Sequence, residues 1–129
     1  MAMLDHVSLG VRDLVASGGF YDAVLHPLGY RRVLEKGIGF AYGPGPERDG
    51  MMFWIVRPDA EIVPSRGSHV GFSAPSRRAV DEFHDAALRA GARDNGAPGL
   101  RPEYSDDYYG AFVLDPDGHK IEAMCRGSE

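Results

Sequence analysis

The chain has 129 residues and a mass of 14.0 kDa, the size of one domain able to bury a core without staples. Fourteen Lys and Arg against nineteen Asp and Glu leave a net charge of −5, and no basic stripe offers itself to a phosphate backbone, which excludes a nucleic acid as partner. One cysteine, Cys125, rules out an internal disulfide framework and any CxxC motif. The longest apolar run, Met51 to Val56, is too short to span a bilayer. The opening Met1 to His6 carries no basic and apolar leader, so a cytoplasmic protein with a small-molecule partner is expected.

In chain order, Leu4–Val11 alternates, with Val7, Leu9 and Val11 on one face and His6, Ser8 and Gly10 on the other, as in a half-buried strand. Asp13 is placed to cap a helix whose apolar face holds Phe20, Val24 and Leu25 and which runs to His26-Pro27. Gly18 and Gly19 weaken that helix by about 1 kcal/mol each against alanine. Three strands follow, Tyr30–Lys36, Ile38–Tyr42 and Met51–Arg57, the last two separated by a Gly- and Pro-rich loop over 43–50.

Sliding the sequence by 63 residues sets His6-Val7 on His69-Val70, Phe20 on Phe83, Asp22-Ala23 on Asp85-Ala86 and Leu25 on Leu88. The chain therefore reads as two halves, about 1–64 and 65–129, of one domain. In the second half Ser68–Ala74 is a strand, and Ser76 caps a helix with Val80, Phe83, His84, Ala87 and Leu88 at core spacing, ended by Gly91. Arg93–Glu103, punctuated by Asn95-Gly96 and Pro98-Gly99, reads mostly as loop. Tyr108–Leu114 and His119–Cys125 are strands joined by a tight turn at Asp115-Pro-Asp-Gly118. The expected fold is α+β, two pseudo-symmetric βαβββ modules with the helices outside the sheets.

No Rossmann, P-loop, zincin or nucleophile-elbow motif is present. Of five histidines, His6 and His69 are repeat partners on strands, each on the face away from the helix and flanked by small residues. One reading makes each a hydrogen-bonded strand histidine. The other lets the two imidazoles converge on the pseudo-twofold axis, which suits a shared ligand. His26 reads as a helix terminus, His84 as helix surface or rim and His119 as a turn residue. Glu122 points away from Ile121, Ala123 and Cys125, and with the two histidines it completes a two-His, one-carboxylate set suited to a divalent transition metal. Phe53, Trp54, Tyr104, Tyr108 and Tyr109 are candidates for an aromatic wall. Adjacent on a strand, Tyr108 and Tyr109 point to opposite faces, so one of them should look into the cavity as a hydrogen-bond donor or acid–base group. Arg101 is the candidate for holding a substrate carboxylate or phosphate through its fork.

Leu4-Asp5-His6-Val7, Ser68-His69-Val70-Gly71-Phe72 and the closing Phe112 to Glu122 hairpin, with its Asp-Pro-Asp-Gly turn, resemble the vicinal oxygen chelate superfamily. That superfamily joins glyoxalase I, bleomycin-resistance proteins, thiol transferases and extradiol dioxygenases. The resemblance implies paired βαβββ modules around a cup-shaped, partly open barrel, usually in a homodimer and sometimes with modules exchanged between subunits. It also implies one divalent ion (Zn, Ni, Mn or Fe) on residues matching His6, His69 and Glu122. Glyoxalase I has a fourth ligand in the first module. Aligning Met51 to Trp54 with Lys120 to Ala123 places Phe53 there, so the proton-shuttling carboxylate of lactoylglutathione chemistry is not matched.

Two expectations follow. The first is a metal-dependent enzyme whose small substrate chelates the ion through neighbouring oxygens, with isomerase, lyase, thiol-transfer or dioxygenase chemistry left open. The second is a metal-free binding protein of the bleomycin-resistance type, favoured by the aromatic residues.

Overall fold

The computed structural model describes residues 3–45 and 50–127; residues 46–49 of the expected loop lie outside them. The elements run β1 His6–Gly10, α1 Leu14–Leu25, a 3₁₀ turn His26–Leu28, β2 Arg31–Lys36, β3 Gly39–Gly43, β4 Met52–Val56, β5 Val70–Ser73, α2 Arg77–Arg89, β6 Arg93–Leu100, β7 Tyr108–Leu114 and β8 Lys120–Arg126. Two four-stranded sheets result, ordered β1-β4-β3-β2 and β5-β8-β7-β6, so the repeat in the sequence is a repeat in topology. In each sheet the first strand pairs parallel with the last and the others are antiparallel. A parallel pair needs a long crossover, and the helix and two strands between provide it.

Both helices start as the sequence requires. The Asp13 carboxylate accepts from the Ala16 N–H at 3.0 Å, and the Ser76 hydroxyl from the Ala79 N–H at 3.1 Å. Phe20, Tyr21, Val24 and Leu25 of α1 and Val80, Phe83 and Ala87 of α2 join one core with Phe53, Ile55, Phe72, Val113 and Ile121 from the two sheets. The halves are also bolted by polar groups. Tyr21 donates to Asp115 at 2.6 Å, and Asp117 accepts from the Arg12 N–H and guanidinium at 2.9 and 3.1 Å and from the Ser17 hydroxyl at 3.3 Å.

One element differs from the sequence reading. Residues 93–100 form β6 rather than a loop, paired with β7 through two register shifts, between Asp94 and Gly96 and between Gly96 and Gly99. The glycines and proline that read as loop punctuation mark these irregularities instead. Of the alternatives for His84, the structure takes the buried side of the rim: it is buried on α2 and bonded to Asp94 at the start of β6, 3.0 Å away. Among the described residues no helix is long and apolar enough to cross a membrane.

The two glycines of α1 have opposite roles. A Cβ on Gly18 would come 2.6 Å from the Arg32 guanidinium and 2.8 Å from the Phe40 ring, so helix and sheet meet only because that side chain is absent. A Cβ on Gly19 would meet nothing within 4 Å. Gly19→Ala is therefore expected to stabilise the protein by about 0.5–1 kcal/mol, while Gly18→Ala destabilises it by about 1–3 kcal/mol, both read from urea unfolding midpoints. Equal effects of one sign would contradict this packing.

Candidate functional site

Along β8 the residues Ile121, Ala123 and Cys125 turn to the core and α2, which leaves Lys120, Glu122 and Met124 on the open face of the second sheet. Register extends that face across the neighbours, since Glu122 lies opposite Phe112 on β7 and beside Gly71 on β5. Although on the open face, Glu122 is only 2% exposed. Its carboxylate accepts from the Tyr108 hydroxyl at 2.6 Å, and its other oxygen lies 3.1 Å from His69 Nε2.

Glycines make the space for this carboxylate. A Cβ on Gly110 would sit 2.9 Å from Glu122 Oε2, and one on Gly71 would sit 3.3 Å from Oε1. A buried carboxylate is costly unless its oxygens are satisfied, and an ionised carboxylate has room for about four hydrogen bonds. Among the described residues Glu122 has two neighbours in that role, neither of them a lysine or arginine. Tyr108 has its phenol pushed upward by burial first, then by the hydrogen bond to Glu122 and its charge. It stays protonated at neutral pH and donates to the carboxylate.

His69 and Glu122 have the separation of two ligands on one ion. Donors each about 2.0–2.1 Å from a metal lie roughly 2.9–3.4 Å apart between right-angle and tetrahedral geometry. His69 is half-exposed and borders a hollow of about 230 Å³ shared with Val7, Leu9, Ser68, His119 and Lys120. His6 is not with them. It is exposed and bonded to its neighbour Asp5 at 2.7 Å. Among the described residues no three His, Cys, Asp or Glu side chains are grouped closely enough to share an ion. The convergence expected of three groups within one chain is thus found for two.

The aromatic candidates divide by strand alternation. Phe53 lies on the helix side, 5% exposed, with its ring 5.0 Å from Tyr21 and 4.9 Å from Phe72. Burying such a ring contributes about 2–3 kcal/mol to the core. It is not part of the open face, and it is not the counterpart of Glu122. Gly71, two residues after His69, pairs with Glu122; Ser8, two residues after His6, pairs with Trp54. Trp54 is therefore the symmetric position, one residue later than the sequence alignment placed it.

Of the two tyrosines, Tyr108 faces Glu122 and Tyr109 turns the other way, donating to Asp81 of α2 at 2.6 Å. Tyr109 is held on the helix side and does not reach the site. Tyr104 packs its ring 5.0 Å from that of Tyr108 but is 60% exposed. Arg101 lies at the end of β6 with its guanidinium carbon 5.6 Å from the Phe112 ring centre.

The model of the glyoxalase/bleomycin resistance protein/dioxygenase superfamily matches residues 3–123. The chain belongs to that superfamily. It is 30% identical over 122 residues to the uncharacterized protein PA2024 of Pseudomonas aeruginosa, spanning 92% of this chain and 85% of that one. A glyoxalase/bleomycin resistance protein from Albidiferax ferrireducens T118 shares 34% identity and superposes with a TM-score of 0.88, over 97% of this chain and all, 100%, of the other. A superfamily enzyme from Burkholderia phytofirmans PsJN, at 21% identity and TM-score 0.73 over 98% and 100% of the two chains, shares the fold.

Strand alternation places Lys120 on the face of Glu122, but the sequence assigns it no role. Its Nζ sits 4.7 Å from the centre of the Phe112 ring. The glycine-made space at Glu122 is testable directly. Gly110→Ala should cost about 1–3 kcal/mol in urea unfolding, because the added carbon meets a carboxylate held from two sides. A cost below about 0.5 kcal/mol would show that Glu122 is not held as described.

Proposed function

We propose that the protein is a metal-dependent enzyme of the glyoxalase kind acting on a small molecule, with His69 and Glu122 as two ligands of one divalent ion. The observation that carries this reading is the buried Glu122 carboxylate, which makes no salt bridge to a lysine or arginine among the described residues, lying 3.1 Å from Nε2 of the half-exposed His69. Such a pair is costly to keep and well suited to a cation. When bound, the ion supplies Lewis-acid stabilisation of negative charge on neighbouring substrate oxygens.

The chain's own groups have separate tasks. Glu122 is held by Tyr108, whose hydroxyl fixes one oxygen and leaves the other toward His69. Gly71 and Gly110 keep the carboxylate in place by leaving it room. Trp54 at the symmetric position of the first sheet provides no ligand atom, so the two halves supply three donors rather than four. Lactoylglutathione chemistry with a fourth carboxylate is accordingly not part of the proposal.

The third donor is His6 of a second copy. Three facts support this: among the described residues His6 does not join the pair within one chain, β1 and β5 each pair with a single strand of their sheet, and His6 lies on one of those edge strands. Unpaired edges are where another chain can add. A homodimer of this kind builds each site from both subunits.

Metal analysis tests the reading. After incubation with Zn²⁺, Ni²⁺, Mn²⁺ or Fe²⁺ and desalting, wild type should hold about one ion per chain, and His69→Ala and Glu122→Gln should lose most of it. Wild type that stays empty with all four ions overturns the proposal. Co-refolding His6→Ala with His69→Ala chains tests the shared site. A mixed dimer should recover about one ion, because one of its two sites has both histidines intact. No recovery would place all ligands on one chain.

A second reading has its own observation. An apolar cavity of about 240 Å³ lies between the halves, lined among others by Leu25, Tyr30, Tyr42, Phe53, Val70 and Phe72. A metal-free protein that sequesters a small apolar molecule would use this cavity, and an empty metal analysis would leave that reading standing.

A further inference from the structure

Phe112 occupies the middle of the open face, and two cations flank its ring from opposite strands. Lys120 comes from β8 with its Nζ 4.7 Å from the ring centre, and Arg101 comes from the end of β6 with its guanidinium carbon at 5.6 Å. Neither has a carboxylate partner among the described residues. In a chain of net charge −5, two such cations beside the same ring are not the bulk pattern of the surface. Contact with an aromatic face holds them in position without neutralising them.

The guanidinium is also housed. Arg101 donates to the Ala97 carbonyl at 2.7 Å and to the Leu100 carbonyl at 3.4 Å, which folds it back over β6 and leaves other N–H groups open. The space for it comes from the irregular part of that strand. A Cβ on Gly96 would lie 3.3 Å from one guanidinium nitrogen, and a Cβ on Gly99 would lie 3.2 Å from the other. The register shifts of β6 fall at these same residues. On the other flank, Lys120 borders the hollow that also contains His69. Glu122 lies directly opposite Phe112 and the His69 ring is 5.8 Å from it, so the ring that the two cations flank borders the His69–Glu122 pair.

We propose that Arg101 and Lys120 form an anion subsite, and that the small molecule bound at this site carries an anionic oxygen group, a carboxylate or a phosphate, at the end remote from His69. The geometry divides recognition between two ends of the ligand. Arg101 offers a planar fork to two oxygens, and Lys120 offers a point charge between that fork and the imidazole. This rests on the reading of the open face as the substrate site but not on a bound metal.

The test uses metal-stripped, full-length protein and ¹H–¹⁵N NMR titration with pyruvate, inorganic phosphate and, as a neutral control, pyruvamide. An anion subsite gives saturable shifts of the amides near Arg101, Phe112 and Lys120 with pyruvate or phosphate and none with pyruvamide. The stronger of the two anions tells carboxylate from phosphate. Lys120→Gln and Arg101→Gln should each weaken that binding about fivefold or more, with Arg101→Lys recovering only part. Added salt should weaken it in wild type. Unchanged urea midpoints identify variants that still fold, and Arg101→Lys keeps the charge should Arg101→Gln not fold.

Absence of shifts on this face with both anions, or equal affinity in wild type and both folded Gln variants, overturns the subsite. Metal uptake separates the two proposals. Anion binding without metal uptake leaves the subsite and removes the metal, whereas uptake without anion binding does the reverse.

Discussion

Asp115 and Asp117 bring two carboxylates into the interior, and the joining of the halves depends on how they are satisfied. Asp115 accepts from Tyr21 of α1 and from the Asp117 and His119 amides at 2.9 Å each, so one side chain fixes both its own turn and the opposite module. Burial pushes its carboxyl above the ordinary range, against the lowering effect of the Tyr21 hydroxyl and the amides. Burial acts on Tyr21 in the same direction, with the Asp115 charge second, so its phenol remains a donor. Asp117 reaches Arg12 and Ser17, and His119 Nε2 lies 2.7 Å from the Gly10 carbonyl at the end of β1. Every one of these contacts crosses from the β7–β8 turn to the first half or closes the turn itself.

The consequence for the site is positional. β8 begins one residue after His119, so the turn that locks the halves also sets where Lys120 and Glu122 start. A buried hydrogen-bonded turn of this kind has little freedom, because each unmade bond would leave a charge or an amide unsatisfied at a cost of about 1–3 kcal/mol. Glu122, on the strand that follows, is the next buried carboxylate after Asp115 and Asp117, with Tyr108 and His69 as its partners. The structural carboxylate has its partners supplied from within the chain. The one on the open face has a half-exposed imidazole as one of its two partners, where Asp115 has a buried tyrosine and two turn amides.

What was legible in the sequence was whatever depends on local period. The repeat, the two capped helices, seven of the eight strands and the tight turn at Asp115–Gly118 follow from alternation, helical spacing and turn residues. β6 was hidden because Gly96, Pro98 and Gly99 look the same in an irregular strand as in a loop, and only pairing with β7 distinguishes them. Phe53 and Trp54 were exchanged because period 2 forgives no slip; a shift of one residue sends every side chain to the other face. The pairing of Tyr108 with Glu122 and of Tyr109 with Asp81 obeys the same alternation, but its sense is set by register with β8. His6 was beyond reach altogether, since its distance from His69 depends on how two modules pack and not on any property of either strand.

The two halves depart from symmetry in chemistry and not in register. A duplicated unit begins with equivalent positions, and here Ser8–Trp54 and Gly71–Glu122 remain equivalent in register while differing in chemistry. Gly71 leaves space at Glu122, whereas in the first sheet the space is taken by an indole lying over Gly39, 3.4 Å from where its Cβ would be. An indole can neither ligate a cation nor move a proton, but it fills an open face and presents a flat apolar surface. One sheet thus presents a buried carboxylate beside an imidazole, and the other a single imidazole on its edge strand. Neither face alone offers a closed set of groups. A site assembled from one of each would have a charged, hydrogen-bonded wall opposite an aromatic one, which suits a ligand with an oxygen-rich end and an apolar end.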